Sequence, residues 1–497
     1  MMDRLLKTLL ILLGLGLITV SQLRISPSTA QGHPNFVTIV VDDLDVASVA
    51  QMPAVNELLT AEGTTFTRFF ATTPLCCPSR VSMLRGQYAH NHGVLRNDGE
   101  DAAGFPAFYA SGKESVTLAT LLHEAGYETA LIGKYLNGYV LADDPRIPIP
   151  RTYIPPGWDT WITGVDDAAY AHFDYTLNVN GALVDYGHDE DDYLTDVLSA
   201  YAVDFVNRAA GTGDPFFLFL TPYAPHTPTV PAPRHVGKFR GATAPRTPAF
   251  DEPDVGDKPE WIRSSRRFNE QKIAVIDDRY QRRLESLQAV DEMVEAIVDK
   301  LDAQGVLQST YILFLSDNGY ILGEHRQPNG KDAPYDGATR IPLIVRGPGI
   351  SAGTLVDEIA LNTDLLPTIA TLADVSIPPF VDGRSLVPLW TDSNSGWRQS
   401  ALFEGFGIEF RPGERPELNT PPFKALRSED ALFTQYDTGE REFYDLTVDP
   451  YQLDNIVDQV PDPILGEYSQ RLDGLAKCIA ADCRSLEDKP LPPFHAG

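Results

Sequence analysis

Phe36-Val37-Thr38-Ile39-Val40-Val41-Asp42-Asp43 is an unbroken, β-branched apolar run that stops on two carboxylates. Without polar alternation, such a run fits a strand buried on both faces, as in a parallel sheet covered by helices. Three more runs have the same form. Thr129-Ala130-Leu131-Ile132 stops at Gly133-Lys134, and Phe216-Phe217-Leu218-Phe219-Leu220 leads to His226 in a proline-rich loop. Tyr311-Ile312-Leu313-Phe314-Leu315 stops at Ser316-Asp317-Asn318-Gly319, and 341–345 reads as a further strand. Helical patterns at 55–59, 117–124, 193–206 and 280–301 alternate with them. That alternation predicts an α/β fold with a large, mostly parallel sheet flanked by helices. Ligands of such sheets bind beyond the carboxyl ends of the strands. Four strand ends bearing polar residues of catalytic type therefore predict one functional rim.

Two of those ends, Asp42-Asp43 and Asp317-Asn318, offer four oxygen ligands. Three carboxylates brought together repel unless a cation sits among them. All-oxygen ligation suits Ca²⁺ or Mg²⁺ better than zinc. A second stretch supplies the reactive side chains: Thr72-Thr73-Pro74-Leu75-Cys76-Cys77-Pro78-Ser79-Arg80-Val81-Ser82-Met83-Leu84-Arg85-Gly86. Pro78 suits a first helical position, Val81 and Leu84 recur at helical spacing, and Gly86 closes the run. This reading puts Cys76 just ahead of a helix N-terminus, where an anion is stabilised, with Arg80 one turn further in. Lys134 and Lys331 add cations, and His226 exchanges a proton near neutral pH.

Composition sets the bounds. The chain has 497 residues, 43% hydrophobic and 22% charged, which is globular chemistry with room for one large domain and a smaller one. Its net charge is −29, and the first thirty residues are net basic, so the remainder is more acidic still. That excludes nucleic acid as a partner and repels long polyanions, so an anionic substrate must be small or meet a local basic cluster. Arg4 and Lys7 precede an apolar run from Leu9 to Val20, with small residues at 28–30. Residues 1–30 read as a signal peptide, which places the mature protein in the periplasm or outside the cell, with no stable membrane span. In such a compartment Cys478 and Cys483 are expected to pair. The α/β domain is taken as 33–394, with 228–262 as a long surface excursion. Residues 395–497 read as a small subdomain, with antiparallel strands at 423–427, 431–436 and 442–446 and a closing helix at 463–478.

Cys76-Cys77-Pro78-Ser79-Arg80 with Leu84-Arg85-Gly86 resembles the signature of the type I, formylglycine-dependent sulfatases. Further stretches resemble their N-acetylglucosamine-6-sulfatase-like branch: 134–137 (Lys-Tyr-Leu-Asn), 153–158, 175–181, 192–198, 345–349, 364–368 and 444–450. The resemblance implies an alkaline-phosphatase-like sulfatase fold. It implies conversion of Cys76 to formylglycine (3-oxoalanine) by a formylglycine-generating enzyme. It further implies sulfate-ester hydrolysis through the hydrated aldehyde, with Asp42, Asp43, Asp317, Asn318 and an oxygen at Cys76 holding Ca²⁺, and Mg²⁺ the lesser candidate. Cys76, Arg80, Lys134, His226 and Lys331 are the implied catalytic set. The implied substrate is a sulfated amino sugar or related carbohydrate, as a small molecule or oligosaccharide. Many sulfatases carry a histidine two residues after the lysine; here Leu136 stands there. An arylsulfatase, a phosphonate or phosphodiester hydrolase on the same scaffold, and a silent carbohydrate-binding homologue remain as alternatives. His325 is read equally as a site residue or a loop brace. His90, Asn91 and His92 read as packing residues.

Overall fold

Residue order along β1 (Asn35–Val41) explains the layering, because Phe36 and Val40 enter one apolar core while Val37, Ile39 and Val41 enter another. The computed structural model describes residues 32–140, 146–390, 396–407 and 420–494. The leader at 1–30 lies outside them. Further strands follow in chain order: β2 (Thr64–Phe66), β3 (Phe69–Phe70), β4 (Glu128–Gly133), β5 (Thr160–Gly164), β6 (Tyr175–Val179), β7 (Ala182–Tyr186) and β8 (Phe216–Thr221). After these come β9 (Thr310–Ser316), β10 (Leu343–Arg346), β11 (Thr354–Val356), β12 (Ala360–Leu361), β13 (Ser400–Gly405), β14 (Phe423–Ser428), β15 (Ala431–Tyr436) and β16 (Arg441–Asp445). Among the described residues the main sheet has ten strands in the order β11-β2-β10-β9-β1-β8-β4-β5-β6-β7. The central block β9-β1-β8-β4-β5 is parallel throughout. Helices Cys76–Arg85, Leu118–Glu124 and Leu365–Leu372 cover one face, and Leu194–Ala209 with Glu270–Ala303 cover the other. Both faces are therefore dry, which is why the central strands carry no polar alternation.

Register aligns the strand ends. Val41 pairs with Ser316, so Asp42 and Asp317 leave the sheet side by side. Gly133 pairs with Thr221, which brings the lysine-bearing end of β4 up to the chain leading to His226.

Several expectations need correction. The signature helix begins at Cys76, with Leu75 as its N-cap, and not at Pro78. Proline at the third position costs nothing there, because the first four helix N–H groups have no intrahelical partner anyway. The long helix starts at Glu270 with Asn269 capping Lys272 N, ten residues before the expected start. Its first turns are largely solvent-exposed, and the apolar spacing of Ile273, Ile276 and Tyr280 that continues the helix upstream went unread. Strands β5–β7 were not foreseen: β7 is largely exposed, and β5 and β6 are short runs of five residues broken by threonine, asparagine and glycine. The 228–262 segment is more than a surface excursion: Glu252 and Lys258 are buried, joined to His325 and to the carbonyl of Leu453.

Strands β13 to β16 form a separate antiparallel sheet, and helix Asp462–Leu475 packs into the same core. Cys478 and Cys483 form the expected disulfide. Residues from His33 onward make one compact unit. Arg398 ties its parts together, bidentate to Asp364 at 2.7 and 2.9 Å and bonded to Glu487 at 2.8 Å, all three buried. No helix among the described residues is long and apolar enough to cross a membrane.

Candidate active site

Consecutive residues of a strand point to opposite faces, yet the carboxylates of Asp42 and Asp43 lie 3.5 and 3.9 Å from Cys76 Sγ. The chain achieves this by turning at Asp43 into the left-handed region, at φ 66°. Cys76 sits in the first turn of its helix, where Asn97 Oδ1 accepts from Cys77 N at 2.8 Å. Lys331 Nζ reaches Cys76 Sγ at 2.8 Å and Asp43 Oδ1 at 2.5 Å. Lys134 Nζ lies 2.7 Å from Asp42 Oδ2. Arg80 Nε donates to Asp317 Oδ2 at 2.9 Å and Nη1 to the Lys134 carbonyl at 2.9 Å. His226 Nε2 faces Asp43 Oδ2 at 3.8 Å. All nine expected residues thus stand at one rim, and all but His226 are buried.

The grouping differs in detail from the expected ligand set. Ligand atoms of Asp42, Asp43, Cys76 and His226 lie within 4.8 Å of one another. Asn318 Nδ2 donates to Asp43 Oδ1 at 2.7 Å. Asp317 stands a step back, because Arg80 holds its Oδ2 while the backbone N–H groups of Asp43 and Asn318 donate to its Oδ1. The donor chemistry still fits a divalent cation. The Asp42 and Asp43 carboxylates meet the Asn318 amide there with Asp317 one step behind, and Asn318 Oδ1 is buried without a hydrogen-bond partner among the described residues. All of these donors are oxygen, the ligand type of Ca²⁺ and Mg²⁺.

Electrostatics follow from burial and charge. Burial alone would raise Asp42, but Lys134, with His226, Arg80 and Lys331, outweighs it and holds the carboxyl well below its usual range. Asp43 is lowered likewise, with Lys331 overcoming burial. Asp317 goes the other way: burial and the neighbouring carboxylates push it up against Arg80. Both lysines stay charged despite burial, because each faces a carboxylate. Burial pushes the Cys76 thiol up, so the unmodified side chain is a neutral thiol and a poor nucleophile.

Some contributors were not foreseen. Arg283, 240 residues from Asp43 in sequence, donates to the Asp43 carbonyl at 2.5 Å and holds the turn from behind. Ser79 Oγ donates to the Asp317 carbonyl and accepts from Asn362 Nδ2 at 2.9 Å. Tyr170 lies against both Lys134 and His226. Ser79 lies within the signature itself, whereas Arg283 and Tyr170 carry no local signal, since only the fold brings them in. Leu136 is buried in the apolar core on one face of the sheet. His325 braces a loop, bonded to Glu252 at 2.7 Å and packed on Tyr335. His90 and Asn91 bond to the Cys478 carbonyl, and His92 to Ser82, so all three pack as expected.

Comparison with known proteins gives concordant results. Residues 34–375 match the family model described as Sulfatase, and residues 323–477 match one described as N-sulphoglucosamine sulphohydrolase, C-terminal. The chain is 31% identical to the N-acetylglucosamine-6-sulfatase of Capra hircus, over 91% of this chain and 85% of that one. It superposes with a TM-score of 0.73 on a solved structure bound to its substrate D-glucosamine-2-N,6-O-disulfate, at 24% identity over 89% and 97% of the two chains. A phosphonate monoester hydrolase from Silicibacter pomeroyi shares the fold with a TM-score of 0.66, at 24% identity over 88% and 93%.

Proposed function

The chain belongs to the sulfatase family of sulfuric ester hydrolases, and from that premise we propose that it desulfates a sulfated amino sugar, with Cys76 as the side chain that receives the sulfuryl group. The observation that carries this reading is the pair of buried ammonium groups, Lys331 at Cys76 and Lys134 at Asp42, in a protein of net charge −29. A local cationic pocket in an acidic molecule selects a small anion over a long polyanion. The amino-sugar assignment is supported by the names borne by the relatives it resembles along most of its length.

Roles follow from position. Lys134 and Lys331 offset negative charge on the sulfate oxygens, in a water-poor site where that charge counts most. Arg80 holds Asp317 and the Lys134 carbonyl, and so fixes one lysine against the carboxylate cluster. His226 Nδ1 faces the Thr227 carbonyl at 2.6 Å and therefore carries hydrogen, leaving Nε2 toward the rim to hold the proton passed to the leaving alcohol. Asp42, Asp43, Asp317 and Asn318, with the oxygen that replaces the Cys76 sulfur, would hold Ca²⁺, which supplies positive charge favouring an ionised oxygen nucleophile. Formylglycine at Cys76, installed by a formylglycine-generating enzyme, supplies a hydrated aldehyde with one hydroxyl to take the sulfuryl group and a second to expel it. Export agrees with the Cys478–Cys483 disulfide, a bond of oxidising compartments.

A panel of sulfated monosaccharides, with 4-nitrophenyl sulfate and an aryl phosphonate monoester, tests the reading. Highest kcat/KM on a 6-O-sulfated glucosamine supports it. Preference for the phosphonate, or release of sulfate only from the aryl ester, overturns the substrate assignment.

A further inference from the structure

The site contains an aromatic group that the roles above leave unused. Tyr170 lies in the single-turn helix Asp167–Ala171 between β5 and β6, started by Asp166, whose Oδ1 accepts from Ala168 N. Its ring centroid is 5.2 Å from Lys134 Nζ and 4.6 Å from the His226 ring. Tyr223 packs edge-on against the Tyr170 ring, at 5.2 Å and 86°. His226 needs such a wall. Its side chain is 23% exposed and stands on a proline-rich loop, bonded to the adjacent Thr227 carbonyl and facing Asp43 Oδ2 at 3.8 Å. When it carries the proton for the leaving group, the His226 ring is drawn to the Asp43 carboxylate at 3.8 Å and repelled by the Lys134 ammonium on the same rim. The negative face of an aromatic ring is attractive to both cations.

We propose that Tyr170 is a positioning residue for leaving-group protonation, its ring holding the His226 imidazole toward the rim beside Lys134. As the sulfur–oxygen bond breaks, its electron pair stays on the leaving oxygen. That oxygen takes the Nε2 proton, and His226 is left as neutral imidazole. The work belongs to the ring rather than the hydroxyl, whose approach to Asn137 Nδ2 is 3.5 Å, too long for a strong hydrogen bond.

This inference rests on the reading of His226 as proton donor, and a series of aryl sulfates separates the two. Leaving phenols of low pKa need no protonation, whereas phenols of high pKa do. In Tyr170→Leu, kcat on 4-nitrophenyl sulfate falls less than about 3-fold and on phenyl sulfate about 30-fold or more, within the range general acid catalysis contributes. Tyr170→Phe restores the wild-type slope. Tyr170→Leu adds nothing to His226→Ala, since both remove one function. Tyr170→Met, unbranched and better able to fill an irregular gap, gives the same reading should leucine weaken the fold. An equal loss at every leaving group, or Phe behaving as Leu, overturns the proposal. If His226→Ala itself leaves the slope unchanged, the donor reading falls, and this one with it.

Discussion

Cys76 shows how little a residue's chemistry follows from its type alone. As a thiol it is buried, neutral and unreactive, so its place among two carboxylates and an ammonium makes sense for an oxygen-bearing replacement. Cys76→Ser keeps an oxygen but lacks the second hydroxyl that lets sulfate leave. We expect that variant to turn over at most once and to accumulate a sulfated adduct, visible by intact-protein mass; normal turnover without adduct would contradict the account. Glu114 is a second case, away from the rim. Burial raises its carboxyl from the ordinary 4.5 to about 7, against the opposing hydrogen bonds of Tyr153 and Tyr135. The folded protein therefore keeps a proton between those values that the unfolded chain has released, and stability falls as pH rises across that window. Glu114→Gln removes the effect. Its stability relative to wild type should improve on the order of 3 kcal/mol from pH 4 to pH 8 in urea unfolding; a constant difference would refute the assignment.

Elements set the geometry through a few backbone positions. Gly133 has φ +117°, and a Cβ there would lie 2.0 Å from the Thr221 carbonyl oxygen. The strand end bearing Lys134 approaches its neighbour as only glycine allows. Gly133→Ala is expected to lower the melting temperature by several degrees and kcat/KM by more than about tenfold, since Lys134 moves with the backbone. Unchanged melting and kinetics would show that the close approach has no consequence. Much of this level was legible in the sequence. The central strands announced themselves because a sheet buried on both faces has no polar positions, and the residues where those runs stop are the site. The turn at Asp43 was not legible, because aspartate tolerates positive φ better than most residues yet adopts it too seldom to mark a turn by its presence alone. Arg283 and Tyr170 were invisible for a different reason: one lies in an ordinary amphipathic helix and the other in a single turn of 3₁₀ helix. Only long-range packing gives either a function.

At the scale of the molecule, charge is the deciding property. An acidic body around a cationic pocket penalises substrates that extend over the surface, and salt screens that repulsion within about 8 Å at physiological ionic strength. The ratio of kcat/KM for a sulfated oligosaccharide to that for its monosaccharide should therefore rise between about 20 mM and about 300 mM salt; a falling ratio would place a basic track on the surface. The division of labour is also molecular, since Lys331 lies on a loop whose His325 and Tyr335 rest on Glu252 and on Glu442 of β16. The whole account depends on what Cys76 becomes. The direct measurement is the tryptic peptide mass across residue 76 in active protein. The account predicts a peptide about 18 Da lighter than its cysteine form, as replacement of a thiol by a carbonyl requires, with Cys77 still a thiol. Full sulfatase activity from protein whose Cys76 is entirely unmodified would contradict it.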